Sequence, residues 1–291
     1  MTNDFGMDTI TLSGSLPAKL RAMRDAGFTQ VMLKASDLTG HPDGVDDAVR
    51  AVQQSGLRVT GFQVLRDFEG LSGHLHDYKV DIAKSMLEMA RAVGAPLLLA
   101  CSSTSTHAAQ DLDTLAGDLR KLAMLAVPLG LKIAYEGLSW GRTVNEFTTA
   151  WEGVSRADAP NLGLGLDSFH IFAAKTSLEE LDALDPNKIF LVQLADFMWH
   201  EVRSFEERMA TARHFRVFPG EGVHSSDIAD LVRRLDALGY RGDYSFEVFN
   251  DDYVQLPLAT VAARARQSVR FLVGKVSRRS LPVRAKRTAT Q

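Results

Sequence analysis

A single cysteine, Cys101, stands in 291 residues, which excludes an intrachain disulfide framework and fits a reducing compartment. No run approaches the ~20 consecutive apolar residues needed to cross a bilayer. The opening MTNDFGMDTITLSG also lacks a basic segment followed by an apolar stretch. Neither export nor membrane insertion is therefore indicated, and the cytoplasm is the expected compartment. Excess charge is missing as well: a net charge of −3 and a pI near 6.2 give no general attraction for polyanions, so nucleic acid is not favoured as a partner. No GxGxxG segment follows the first strand-like run, which speaks against a dinucleotide-binding open sheet.

What is present is an ordinary globular composition, 45% hydrophobic and 24% charged, in a chain long enough for one large core. Short β-rich runs alternate with longer amphipathic stretches, and they do so eight times. Strands are expected at residues 7–12, 29–35, 57–65, 96–102, 131–137, 162–168, 189–195 and 243–249. Helices are expected between them, for example at 76–94, 111–130 and 226–239, the last with Ile228, Leu231, Leu235 and Leu238 on one face. Gly94, Gly130 and Gly239 read as helix stops, and Ser225 or Ser226 as an N-cap.

Eight such units predict an α/β fold of the closed (β/α)8 TIM-barrel type over residues 1–274, with a doubly wound sheet as the fold alternative. Residues 275–291 carry Lys275, Arg278, Arg279, Arg284, Lys286 and Arg287 and no acid. They are expected to form a mobile basic tail.

Four polar residues end four successive apolar runs: Glu136 in KIAYEGLS, Asp167 in LGLGLDSFH, Gln193 in IFLVQLAD and Glu247 in DYSFEVFN. In a barrel the C-terminal strand ends build the site, and alternate side chains point inward. Two positions before the four stand Ala134, Gly165, Leu191 and Ser245, so three of the four inward neighbours are small. Three carboxylates and an amide suit a hard divalent cation such as Mg²⁺ or Mn²⁺, with Co²⁺ or Zn²⁺ as substitutes, and not a structural zinc. Any one of them alone would more often be a solvated rim residue. Four on adjacent strands favour ligands.

His170, three residues after Asp167, is placed to act as a general base toward a carbon beside a metal-polarised carbonyl. Arg66 in FQVLRDFEG and Arg216 in RVFPGEG offer planar forks for an anionic substrate. His107, after the fourth strand, is expected near the mouth, while Cys101 reads as a small core residue. The stretch 197–225 is too long for a simple βα loop and is expected to form a lid, with a short helix around SFEERMATA.

The segments FQVLRDFEG, YEGLSWGRTVNEF, GLGLDSFHIF, LVQLADFMW, RVFPGEGVHS and YSFEVFNDDYVQLP span nearly the whole expected barrel. In them the chain resembles the xylose isomerase-like sugar phosphate isomerase/epimerase superfamily, and more closely the bacterial 3-dehydroshikimate dehydratases. The order Glu, Asp, Gln, Glu is the more specific part, because many isomerases place His where Gln193 stands. The resemblance implies that Glu136, Asp167, Gln193 and Glu247 hold a divalent ion and that His170 and Arg66 belong to the catalytic pocket. It also implies conversion of 3-dehydroshikimate to protocatechuate in quinate and shikimate breakdown. Several bacterial relatives continue into a hydroxyphenylpyruvate dioxygenase-like domain. The barrel is expected to act without it, since every expected ligand lies inside the barrel. The alternatives are a sugar isomerase or epimerase using Glu136 and Glu247 as its acids, an abasic-site endonuclease, and a non-catalytic binding barrel. An oligomer is compatible with all of them.

Overall fold

The computed structural model of the protein describes residues 5–277. Strand β1 (Phe5–Asp8) leads to helix α1 (Leu16–Asp25), and β2 (Gln30–Lys34) to α2 (Ala35–Thr39) and α3 (Val45–Gln54). Then follow β3 (Arg58–Arg66), α4 (Gly73–Ala92), β4 (Leu97–Cys101), α5 (Leu112–Ala126), β5 (Lys132–Glu136) and α6 (Phe147–Ala157). The chain continues through β6 (Leu162–Asp167), α7 (Ser168–Ala174), β7 (Ile189–Leu194), α8 (Phe205–His214), α9 (Ser225–Leu238), β8 (Tyr244–Phe246) and α10 (Leu258–Ser277). The eight strands pair in sequence order, all parallel, and β8 returns to β1 to close the barrel. This is the (β/α)8 architecture expected from the alternation.

Closure follows from the strands' composition. Runs such as Leu97–Cys101 and Leu162–Asp167 are buried along their whole length, which only a sheet covered on both faces accommodates. Interior packing depends on small residues at fixed positions. A Cβ added at Gly165 would meet Leu99 Cδ1 at 3.0 Å and the Cβ atoms of Ala134 and Glu136 at 3.7 Å. Gly165, Ala134 and Glu136 therefore share the barrel interior, the parity read from the sequence.

Three expectations differ locally. The first strand ends at Asp8, and Thr9–Thr11 form a 3₁₀ turn instead of continuing it. Helix α9 is capped by His224, with Ser225 as its first residue, so neither Ser225 nor Ser226 is the N-cap. Ser225 Oγ instead accepts from Gly220 N at 2.7 Å and bonds Asp196, stapling the preceding loop. Helix α10 runs three residues past the expected boundary at 274, to Ser277, and the rest of the basic tail lies outside the described residues. Among the described residues no helix is long and apolar enough to cross a membrane.

Candidate metal centre and active site

The C-terminal rim of the barrel surrounds a cavity of about 700 Å³. Glu136 and Glu247 line it together with His170, Arg216, Arg66, Gln63, Cys101 and Trp140. Asp167 and Gln193 sit just outside the lining, buried to 2% and 0% exposure, and are paired with each other across β6 and β7. Ligand atoms of Glu136, Asp167 and His170 all lie within 4.8 Å of one another. Arg216 Nη1 joins Asp167 Oδ2 at 2.6 Å to Glu247 Oε2 at 3.1 Å, and Gln193 lies against Glu247. Glu136, Asp167 and His170 thus form the close group, which Glu247 joins through the shared Arg216 and Gln193 through its contact with Glu247.

The electrostatics of that group favour a cation. Burial pushes the Glu136 carboxyl well up, and the charges of Asp167 and Glu247 push it further. Burial raises Glu247 to about 7 despite Arg216, and raises Asp167 although Arg216 and the Phe169 N–H pull it down. Arg216, joined at Glu247 by Arg66, still sets only two positive charges against three buried carboxylates, and buried charges require compensation. Two buried oxygens here, Glu136 Oε1 and Gln193 Oε1, have no hydrogen-bond partner among the described residues. Glu136 Oε2 is already held by the Cys101 thiol at 2.9 Å. Hard oxygen atoms left bare beside clustered carboxylates fit a divalent ion.

Local chain geometry places each group. Asp167 caps α7, its Oδ1 accepting from Phe169 N at 2.8 Å. That helix carries His170 back over the site on its first turn. His170 Nδ1 lies 3.1 Å from both the backbone N and the Oγ of Ser139, and Nε2 faces Asp167 Oδ2 at 3.7 Å. Burial, reinforced by Arg216, pushes His170 well below its ordinary value, so the imidazole is neutral.

Residues 197–225 leave and rejoin the barrel at a narrow neck, where Asp196 pairs with Val217 and its Oδ1 accepts from Phe197 N at 2.7 Å and His224 N at 3.0 Å. Within the excursion, α8 begins with a capping box between Ser204 and Glu207, close to where the sequence placed a short helix. The same excursion delivers Arg216 to the site.

Arg216 differs from its expected setting. It is 2% exposed, lies over the Phe169 ring at 4.6 Å, and commits Nε to Ala212 O and Nη1 to Asp167 and Glu247. Its fork serves the carboxylates more than the open cavity. His107 is exposed and absent from the cavity lining, its backbone N held by Ser105 Oγ at 3.1 Å, so the structure does not bring it to the site. Arg66 lines the cavity, where its charge pulls the Glu247 carboxyl and the Cys101 thiol down.

Sequence reasoning missed Lys34 and Arg213, which line the same cavity. It also missed Asp8, Gln63 and Ser139, which hold the site from behind. Gln63 carried the same signal as Gln193, a polar residue inside an apolar strand run.

A closed parallel barrel with carboxylates crowded at its C-terminal rim beside a cavity defines a class of α/β barrels with a candidate divalent-metal site. A family model described as xylose isomerase-like TIM barrel matches residues 20–274, and the chain belongs to that family. It is 38% identical over 92% of its length to the 3-dehydroshikimate dehydratase of Pseudomonas aeruginosa, of which it covers 41%. The 3-dehydroshikimate dehydratase of Neurospora crassa is 25% identical over 81% of this chain and 82% of its own. Among solved structures, a xylose isomerase-like TIM barrel/4-hydroxyphenylpyruvate dioxygenase fusion protein superposes with a TM-score of 0.88 at 35% identity, over 95% of this chain and 43% of that one. The chain thus spans about two fifths of the bacterial relative it matches.

Proposed function

We propose that the protein is a divalent-metal-dependent dehydratase that converts 3-dehydroshikimate to protocatechuate. The observation that carries this reading is the pair of bare oxygens, Glu136 Oε1 on the floor of a cavity and Gln193 Oε1 buried just outside its lining, with Lys34, Arg66 and Arg213 on the cavity wall. The floor fits a cation and the wall fits an anion. A small ring acid with a ketone at one end and a carboxylate at the other meets both demands, and relatives of this family carry that activity in their names.

Glu136, Asp167, Gln193 and Glu247 would hold the ion. When bound, it polarises the substrate ketone and stabilises negative charge on that oxygen. Lys34 and Arg66 would grip the carboxylate and fix the ring's orientation. His170 would take the proton from the carbon beside the ketone at Nε2 after its own proton has moved to Nδ1, where Ser139 Oγ can accept it. The electrons of that C–H bond form the enolate. They then expel the β-hydroxyl, which leaves with its bonding pair and departs as water on taking back from His170 the proton that Nε2 removed. Tautomerisation of the remaining ketone yields the catechol ring. Trp140, packed edge-on to His170 at 5.0 Å, closes one side of the imidazole to solvent.

The test is direct. Protein incubated with 3-dehydroshikimate and Mg²⁺, Mn²⁺ or Co²⁺ should develop the ultraviolet absorbance of a catechol, and a chelated control should not. No absorbance with any ion would remove the dehydratase reading. Interconversion of ketoses under the same conditions would replace it with an isomerase.

A further inference from the structure

We propose that Asp8, at the end of β1, is the positioning residue that turns the Gln193 carbonyl toward the cation. An amide presents one acceptor and two donors of nearly the same shape, so a glutamine ligand is useful only if its flipped form is penalised. The structure contains such a penalty. Gln193 Nε2 donates to Asp8 Oδ2 at 2.7 Å and to Gln63 Oε1 at 3.4 Å and also meets the Glu247 carboxylate, while its Oε1 is left bare. Gln63 Nε2 donates to the same Asp8 Oδ2 at 2.9 Å, and Ser245 Oγ donates to Asp8 Oδ1. Asp8, Gln63 and Gln193 are each 0% exposed and Ser245 is 1% exposed, so water cannot substitute for a lost partner.

The four residues come from β1, β3, β7 and β8, and form a polar layer at one level of the barrel interior. Flipping Gln193 would set its carbonyl oxygen against two acceptors, Asp8 Oδ2 and Gln63 Oε1, and aim an N–H pair at the ion. Asp8 can play this part with or without its charge. A proton on Oδ1, shared with Ser245, leaves Oδ2 an acceptor for both amides. A histidine ligand has its orientation fixed by the partner of its second nitrogen; here a carboxylate plays the corresponding part for an amide.

The proposal rests on Gln193 being a ligand, and its test separates the two claims. Mn²⁺ affinity is measured by calorimetry on metal-free wild type, Asp8→Asn, Gln193→Glu and the double variant, with melting temperatures alongside. Asn at position 8 can rotate its own amide to suit either form of Gln193, so Asp8→Asn should weaken Mn²⁺ binding by about tenfold or more without lowering the melting temperature of the metal-free protein. Glutamate has two equivalent oxygens and no wrong orientation. In the Gln193→Glu background Asp8→Asn should therefore cost no affinity. Equal losses in both backgrounds would mean that Asp8 acts only through its charge, and would overturn the proposal. Unchanged affinity in Asp8→Asn would overturn it as well. If Gln193→Leu binds Mn²⁺ as tightly as wild type, the ligand assignment itself falls, and the orienting role with it.

Discussion

Arg216 Nη1 stands 2.6 Å from Asp167 Oδ2, inside the barrel mouth, with neither side chain more than 3% exposed. Such a pair contributes little beyond well-packed apolar residues, yet breaking it leaves an uncompensated charge in a dry site. Here two carboxylates, Asp167 and Glu247, depend on the same nitrogen.

Arg216→Met should therefore destabilise the metal-free protein by about 3–5 kcal/mol, read as a shift in the urea unfolding midpoint at constant slope. Mn²⁺ should recover a larger share of stability in the variant than in wild type, because the ion supplies the charge that the guanidinium no longer does. A loss within the ±0.5 kcal/mol usual for surface substitutions would show that the carboxylates are not relying on Arg216.

Glu69 provides a pH prediction away from the proposed ligands. Its carboxyl, 2% exposed, is raised by burial to about 7, and it accepts from Ser103 N and, at 2.9 Å, from the Tyr135 hydroxyl. A group whose folded value is raised from 4.5 to about 7 keeps its proton in the native state after the unfolded chain has released it. Its contribution is fully present below about 4.5 and is lost as pH climbs to about 7. Glu69→Gln keeps an acceptor for both donors and has no proton to lose. Relative to wild type, the variant should gain up to about 3 kcal/mol between those pH values, measured by urea unfolding of metal-free protein. A difference that does not change with pH would place the Glu69 titration outside this window.

The barrel was legible because buried parallel strands are continuous apolar runs, and each expected strand overlaps an observed one. The metal-site candidates were legible for the same reason: Gln193 inside IFLVQLA has no packing explanation. Asp8 was hidden by its neighbours. Thr9 and Thr11 are β-branched and extend the run MDTITL, but their hydroxyls replace ladder bonds, with Lys34 N donating to Thr9 Oγ1 at 3.0 Å and Val248 N to Thr11 Oγ1 at 3.0 Å. Side-chain bonds of this kind let the chain turn at Asp8, so the strand end fell four residues earlier than the pattern suggested. Arg216 was visible as a candidate, but its inward course depends on the neck at Asp196, a contact between distant residues that no local pattern records.

Lys34 is half-buried, lines the cavity and has no side-chain partner among the described residues. If it grips the substrate carboxylate, Lys34→Met should raise KM for 3-dehydroshikimate by about tenfold or more with a smaller change in kcat, the pattern of lost uniform binding. Lys34→Arg should restore much of the loss. Protocatechuate should also inhibit wild type better than catechol, which lacks the carboxylate, and that preference should shrink in Lys34→Met. Equal inhibition by the two compounds in wild type would show that the carboxylate is not recognised.

Ser139 allows the role of His170 to be divided into two parts. In the resting site the Ser139 backbone N–H donates to Nδ1 at 3.1 Å, which leaves the proton of a neutral imidazole on Nε2, facing the cavity. In that tautomer His170 is a hydrogen-bond donor; it becomes a base at Nε2 only when Nδ1 carries the proton and the Ser139 hydroxyl, also 3.1 Å away, accepts it. Ser139→Ala retains the backbone donor and removes the hydroxyl acceptor, so it favours the donor tautomer. His170→Gln removes the base altogether and should lower kcat by about 10²–10⁴-fold, with Mn²⁺ affinity unchanged if His170 is not itself a ligand. Ser139→Ala should lower kcat by a smaller factor and leave both KM and Mn²⁺ affinity near wild type. If its kcat matches wild type while His170→Gln is inactive, the hydroxyl is dispensable and the imidazole works as a donor to the substrate oxygen. If His170→Gln instead loses Mn²⁺, the nitrogen that lies within 4.8 Å of Glu136 and Asp167 is a ligand, and the proton must go elsewhere.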